Sequence, residues 1–102
     1  MLTVRRILFA FDFSEGSTQA FPQAVFLAQR HGAELHIVHV ATDNGEGTFP
    51  LAPEDMAGWL SDDVTMEELA IVQEQRAGGE PGNELQAYVE AQEIDLVVMG
   101  TH

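Results

Sequence analysis

The chain has 102 residues, enough for one domain with a modest hydrophobic core, and its 45% apolar content excludes a disordered tail. Seventeen acidic residues face four arginines, there is no lysine, and the formal net charge is -13. We expect no DNA or RNA partner, because nucleic-acid affinity comes largely from Lys and Arg contacts to phosphates.

The composition also limits the cellular compartment and the kinds of metal or catalytic site that we expect. The absence of cysteine excludes disulfides, thiolate metal sites and cysteine nucleophiles. No apolar run approaches the ~20 residues that span a bilayer, and the first residues lack a long hydrophobic signal region, so we expect a cytoplasmic protein without a membrane partner. The acidic surface is typical of a soluble protein, and adaptation to high salt is the alternative, since ~1 M salt would screen its self-repulsion.

The first predicted strand is Ile7 to Phe11, a uniformly apolar run that stops at Asp12. This pattern is typical of a central parallel strand, whose carboxyl end carries functional side chains in open α/β sheets. We expect Ser14 or Ser17 to cap a following helix that ends at Gly32. The predicted buried stripe of that helix consists of Ala20, Ala24, Leu27 and Ala28.

The middle of the chain is harder to assign. A second strand is predicted at Leu35 to Ala41, reached by a right-handed crossover and parallel to the first. Residues 42–58 are rich in Gly, Pro and acidic residues, which predicts a flexible loop. A short second helix is predicted within Met56 to Leu69. Ala70 to Arg76 fits either a third strand or a continuation of that helix, and we interpret it as the strand.

The last two elements complete the predicted fold. A third helix is expected at Asn83 to Ala91, with Leu85, Tyr88 and Val89 facing inward, and a fourth strand at Ile94 to Met99. The sequence thus predicts an α/β fold with an open, parallel, doubly wound, Rossmann-like sheet in the order 3-2-1-4. We expect residues 1–102 to form a single domain.

Three segments of the chain resemble the universal stress protein family of small adenine-nucleotide-binding α/β domains. They are the D-F-S turn after the first strand, the L-H-I-V-H-V second strand and the D-L-V-V-M-G-T-H segment at residues 95–102. In nucleotide-binding members, M-G-[ST]-H continues into a loop G-x2-G-x9-G-[ST] and then a further helix and strand. These 102 residues lack that loop, so we expect a chain cut short before the phosphate loop and the family's final strand, or one that continues past His102.

The resemblance implies a binding site for ATP or a related adenine nucleotide. It implies that the carboxylate of Asp12 accepts hydrogen bonds from the adenosine moiety and that the backbone of Val40 contacts adenine. Met99 and Gly100 match the start of the phosphate-binding segment. A second role for Asp12, compatible with the first, is to cap the following helix.

Metal and catalytic sites are not predicted. His36 and His39 are three residues apart on a strand, so they face opposite sides of the sheet and cannot readily share a metal ion. We expect hydrogen bonds to satisfy both side chains. No histidine is placed by the sequence to activate Ser14 or Ser17, so we expect no enzyme, and at most slow ATP hydrolysis.

The resemblance implies a homodimeric regulatory module that binds a nucleotide in the response to stress. The alternative is a family member that does not bind nucleotide and acts through protein association. ATP pyrophosphatases carry S-G-G-x-D-S after the first strand, whereas this chain reads F-D-F-S-E-G at residues 11–16. Receiver domains need a lysine, and this chain has none.

Overall fold

The structure is a computed structural model that describes residues 3–41, 47–61, 64–66, 68–77 and 80–100. Four strands and three helices occur in these ranges. In chain order they are β1 Arg6–Ala10, α1 Glu15–His31, β2 Glu34–Val40, α2 Pro53–Gly58, β3 Ile71–Arg76, α3 Pro81–Ala91 and β4 Leu96–Met99. No helix among these residues has the length and apolar character needed to cross a membrane.

The four strands form one parallel sheet in the order β3-β2-β1-β4. This confirms the predicted α/β fold and strand order. Ile7 of β1 lies in register with Leu35 of β2 on one side and with Leu96 of β4 on the other. β1 is internal because its side chains are apolar on both faces, and Ile7, Leu8 and Phe9 are fully buried.

Helix α1 begins and ends at residues that the sequence indicated. Ser14 is the N-cap, and its Oγ accepts a hydrogen bond from the amide of Ser17 at 3.1 Å. Gly32 ends the helix in the left-handed conformation, with φ of 62°, which costs glycine little. The predicted stripe is only partly right, because Ala20 and Leu27 are half-buried. The fully buried residues of the helix are Ser17, Phe21, Ala24, Val25 and Ala28.

The two faces of the sheet are covered unequally. The larger core lies under α1 and α2 and contains Phe9, Leu35 and Ile37, while α3 covers a smaller cluster with Leu8 and Val38. Successive strand residues point to opposite faces, so the two histidines of β2 separate as predicted. The His36 ring contacts Tyr88 of α3, and the His39 ring packs on Phe13 and Phe49 on the other face.

The predicted second helix is wrong in its extent. The structure places α2 at Pro53–Gly58, inside the segment predicted as a loop, and no helix follows it among the described residues up to Leu69. Proline is favoured in the first helical turn, which explains the start. The chain beyond Gly58 contains Ser61, Val64 and Thr65, which are poorer helix formers. Residues 42–46 of the predicted loop lie outside the described residues.

The remaining elements agree with the prediction apart from their ends. β3 occupies Ile71–Arg76, so the choice of a strand over a continued helix is confirmed. α3 begins at Pro81 rather than Asn83, again because proline fits the first helical turn. Tyr88 is buried and Leu85 and Val89 pack beside it, so the inward face of α3 is as predicted.

Candidate functional site

A cleft of about 690 Å³ opens at the carboxyl edge of the sheet, between the first turns of α1 and α3. Ligands of open α/β sheets bind at this edge. The structure places the four predicted site residues around this one cleft: Asp12, Val40, Met99 and Gly100. The sequence therefore predicted residues that converge, although it assigned each a role that the geometry by itself does not test.

Asp12 links the end of β1 to the start of α1. Its Oδ1 accepts hydrogen bonds from the Ser14 amide at 2.9 Å and from the Ser17 hydroxyl at 2.6 Å. The Asp12 amide in turn donates to the Ser17 Oγ at 3.2 Å. These contacts fix the carboxylate at the mouth of the cleft. The N-cap of α1 is Ser14, so Asp12 stabilises the turn before the helix and does not itself cap the helix, the second role considered for it.

Phe13 forms part of the cleft wall in an uncommon backbone conformation. Its φ of 64° lies in the left-handed region, which costs a bulky residue of the order of 1 kcal/mol or more. The ring packs edge-on against Phe11 and His39, each with ring centroids 4.8 Å apart. Sequence reasoning missed Phe13, because residue type alone gives no signal of this conformation.

The opposite wall of the cleft is apolar. It consists of Val38 and Val40 from β2, Pro81 and Leu85 from α3, and Met99 from β4. Such a wall suits a flat aromatic ring, because small-molecule sites are largely apolar with a few polar groups that fix orientation. The sequence analysis missed three of these residues: Val38 could have been found from its alternation with Val40, whereas Pro81 and Leu85 required the position of α3.

Gly100 lies against the first turn of α1. A Cβ atom at this position would come within 2.6 Å of the Ser17 amide nitrogen and even closer to the carbonyl group of Gly16. Real Cβ atoms do not approach backbone that closely, so the contact between β4 and α1 already requires glycine here. The predicted role of Gly100 at the ligand stays a prediction.

Helix α3 is held over the sheet by a hydrogen-bond relay whose Tyr88 and His36 are buried and whose Glu34 is partly exposed. The Tyr88 hydroxyl lies 2.6 Å from Nδ1 of His36, and Nε2 of His36 lies 3.0 Å from Oε1 of Glu34. A carboxylate only accepts, so Nε2 carries a proton, and in the neutral imidazole Nδ1 accepts from the Tyr88 hydroxyl. Tyr88 and His36 are 1% and 4% exposed. The relay therefore sets the position of Leu85, one turn before Tyr88, in the cleft wall.

Two groups of the relay have pKa values shifted in opposite directions. Burial in the α3 cluster raises the pKa of the Tyr88 hydroxyl, since the phenolate would be poorly solvated there. The hydrogen bond from His36 lowers the pKa of the Glu34 carboxyl, and Arg6 lowers it further through its own hydrogen bond and charge. At neutral pH the Tyr88 phenol is therefore neutral and the Glu34 carboxyl is ionised.

Ion-binding groups and basic residues are sparse at the cleft. Among the residues that the structure describes, no group of three or more His, Asp or Glu side chains is placed to hold a metal ion. The described residues lining the cleft include the carboxylate of Asp12 and no arginine. The cleft as described is therefore apolar with one acidic group.

Comparisons with known proteins agree with the fold. The universal stress protein YxiE of Bacillus subtilis is 28% identical over 115 residues, covering 94% of this chain and 78% of its own length. A universal stress protein structure from Archaeoglobus fulgidus superimposes with a TM-score of 0.73 at 27% identity. That match covers 94% of this chain, which spans 32% of the archaeal chain.

A second solved structure is informative about the fold alone. It is a universal stress protein in complex with cAMP, 16% identical, with a TM-score of 0.62 over 95% of this chain and 76% of its own. The model of the Universal stress protein family itself matches residues 3–102. Because that match takes in nearly every residue, this chain belongs to the universal stress protein family.

Proposed function

We propose that this domain binds an adenine nucleotide as a regulatory ligand in the cleft at the carboxyl edge of the sheet. The observation that carries the proposal is that Asp12, Val40, Met99 and Gly100 lie around one cleft in a member of this family. They come from the ends of β1, β2 and β4, three neighbouring strands. In parallel sheets, such an edge is where ligands bind.

Each wall of the cleft fits one part of the ligand. The apolar side chains of Val40, Leu85 and Met99 provide contacts for the adenine ring. The Asp12 carboxylate, oriented by the Ser14 amide and the Ser17 hydroxyl, accepts hydrogen bonds from ribose hydroxyls. Hydrogen bonds to a charged acceptor contribute about 1.5 to 3 kcal/mol each, which is enough to select a nucleoside over a plain aromatic ring.

We propose binding rather than turnover. The Ser17 hydroxyl in the cleft wall donates to a possible base, Asp12, at 2.6 Å, but Ser17 is only 2% exposed. A buried hydroxyl at the start of a helix is poorly placed to attack a phosphate and is well placed to hold the turn. A regulatory ligand needs only to be bound and released.

Isothermal titration calorimetry with adenosine, cAMP and ATP tests the proposal. The cAMP arm is included because a universal stress protein of this fold has been solved with cAMP. We compare Met99→Glu with Val97→Glu: both side chains are exposed, at 59% and 43%, and both lie on β4, but only Met99 lines the cleft. The two variants carry the same added charge, so long-range repulsion is matched.

We expect at least one of the three ligands to bind the wild type, with about tenfold or greater weakening in Met99→Glu and little change in Val97→Glu. Absence of binding by all three at millimolar concentration would overturn the proposal and favour action through protein association. Equal weakening by the two variants would place the ligand outside the cleft. Sedimentation of the same samples tests homodimerisation, which stays a prediction.

A further inference from the structure

Phe13 belongs both to the cleft and to a group of packed rings beside it. It lines the cleft together with Asp12 and Ser14. Its ring packs edge-on against the rings of Phe11 and His39. A bulky residue keeps a φ of 64° only where the surrounding structure holds it there. The contacts on the two sides of Phe13 therefore determine whether the chain keeps this conformation.

On the cleft side, the conformation of Phe13 is tied to the carboxylate of Asp12. The Ser14 amide donates to Oδ1 of Asp12 at 2.9 Å, and this hydrogen bond closes a turn that has Phe13 at its centre. A change of Phe13 to negative φ would move the Ser14 amide away from that oxygen. A ligand that binds the oriented Asp12 carboxylate therefore also favours the left-handed conformation of Phe13.

On its other side, the Phe13 ring supports residues 47–50. The backbone of Gly47 lies directly on this ring, since a Cβ atom at Gly47 would come within 2.6 Å of it. The ring of His39 contacts both Phe13 and Phe49, with centroids 4.8 and 5.6 Å away. A hydrogen bond of 2.8 Å from Nδ1 to a carbonyl oxygen just after β1 fixes the His39 ring. Residues 47–50 thus rest on a surface whose position Phe13 sets.

The chain beyond this segment is anchored independently of Phe13. The amide and carbonyl groups of Leu51 form two hydrogen bonds with the side-chain amide of Gln73 in β3, at 2.7 and 3.1 Å. Leu51 and Met56 of α2 are both buried. A movement of Phe13 is therefore expected to change residues 47–50 and to leave α2 in place.

Building on the proposed function, we propose that Phe13 is a positioning residue that couples the cleft to residues 47–50. Ligand contact with Asp12 adds to the packing that holds Phe13 at positive φ, so the ring and the segment on it are held more firmly when the cleft is filled. By linkage, a change in the segment that displaces the ring weakens binding in the cleft. This holds although residues 47–50, which the structure describes in full, are not among those that line the cleft.

Amide NMR of the wild type during titration with adenosine, cAMP and ATP is the first test. On binding, we expect the signals of residues 47–49 to shift at least about twice as far as those of Met56 and Gly58 in α2, and their amides to become more ordered. Binding without these changes would overturn the coupling and leave the proposed function standing. Failure of all three ligands to bind at millimolar concentration would overturn both.

A pair of glycine variants tests the linkage in the reverse direction. Gly47→Ala adds a methyl group against the Phe13 ring, whereas Gly58→Ala adds the same group where no atom lies within 4 Å. Neither glycine lines the cleft. For a ligand that the wild type binds, we expect Gly47→Ala to weaken binding about threefold or more and Gly58→Ala to change it by less than about twofold. Wild-type affinity in Gly47→Ala would contradict the coupling.

The same substitution in a Phe13→Gly background identifies the ring as the link. Glycine accepts a φ of 64° but has no ring, so it permits the turn at Asp12 and removes the support of the segment. Alanine at position 47 is strained in either background, because φ of Gly47 is 148°, so the difference between backgrounds isolates the ring. We expect Gly47→Ala to change affinity less than about twofold when Phe13 is already glycine. An equal loss in both backgrounds would show that residue 47 acts without the ring, and would overturn the inference.

Discussion

The Tyr88 hydroxyl offers the sharpest test of how α3 is held. Tyr88→Phe keeps the ring and its packing but removes the donor to His36, so Nδ1 of His36 loses its 2.6 Å partner in a site where His36 is only 4% exposed. Leaving a buried polar atom unpaired costs about 1 to 3 kcal/mol. We expect the free energy of unfolding to fall by about that amount, which lowers the melting temperature by roughly 4 to 8 °C per kcal/mol in a domain of this size.

Composition makes the pH dependence of this variant unusually clear. The chain has one tyrosine, no lysine and no cysteine, so Tyr88 is the side chain expected to titrate near pH 10. Its folded pKa is raised above the ordinary value of 10.0, so the unfolded chain loses the proton first. The stability linked to Tyr88 is thus fully present below about pH 10 and is lost as pH rises through the folded pKa.

Urea unfolding of wild type and Tyr88→Phe at pH 7, 10 and 11 measures both effects. The variant should be less stable at pH 7, and the gap should narrow at high pH, because only the wild type carries the phenol. Phenolate absorbance should follow one titration shifted above the ordinary value. A stability change below about 0.5 kcal/mol at pH 7 would refute the relay as the element that holds α3. A phenol that titrates at its ordinary pKa would contradict the burial of Tyr88.

Three further substitutions have direct outcomes. Gly100→Ala should destabilise the protein in urea by about 1 to 3 kcal/mol through overpacking on α1, whereas Gly82→Ala, which meets no atom within 4 Å, should not. Asp95 accepts hydrogen bonds from two backbone amides at 2.8 and 3.2 Å, which lower the pKa of its carboxyl. The stability from this group is present above its unfolded pKa near 3.8 and is lost as pH falls through the folded pKa, so Asp95→Asn should flatten acid unfolding curves; unchanged curves would contradict this. Gly32→Ala should cost about 1 kcal/mol in thermal unfolding, because φ of 62° disfavours alanine, and a neutral effect would show that the helix end shifts.

The strand order was predictable because the apolar pattern of β1 matches the internal position of this strand in the sheet. Ile7, Leu8 and Phe9 are apolar on both faces of the strand, and only an internal position in the sheet buries both. The segment from Met56 to Leu69 lacks that agreement. Its apolar residues have the spacing of a helical stripe, but after Gly58 they pack against the core from a chain that is not helical. The periodicity of this segment therefore did not determine its secondary structure.

The residues of the candidate site likewise include some that the sequence predicts and some that it does not. Asp12 and Val40 sit at the ends of strands whose positions the pattern determines, so their convergence followed from the fold. The inward face of Leu85 was predictable, but its place in the cleft wall was not. The position of α3 depends on the contact between Tyr88 and His36, which are 52 residues apart. A long-range hydrogen bond of this kind leaves no local signal in the sequence.

The two sides of the cleft therefore depend on unequal amounts of packing. The α1 side rests on the larger core, with Phe9 and Phe21 fully buried, while the α3 side rests on the cluster of Leu8, Val38 and Tyr88 and on the relay to Glu34. A ligand that touches both walls adds proportionally more contact to the weaker one. Binding in the cleft should thus stabilise α3 more than α1, which couples occupancy of the cleft to the relay beneath that helix.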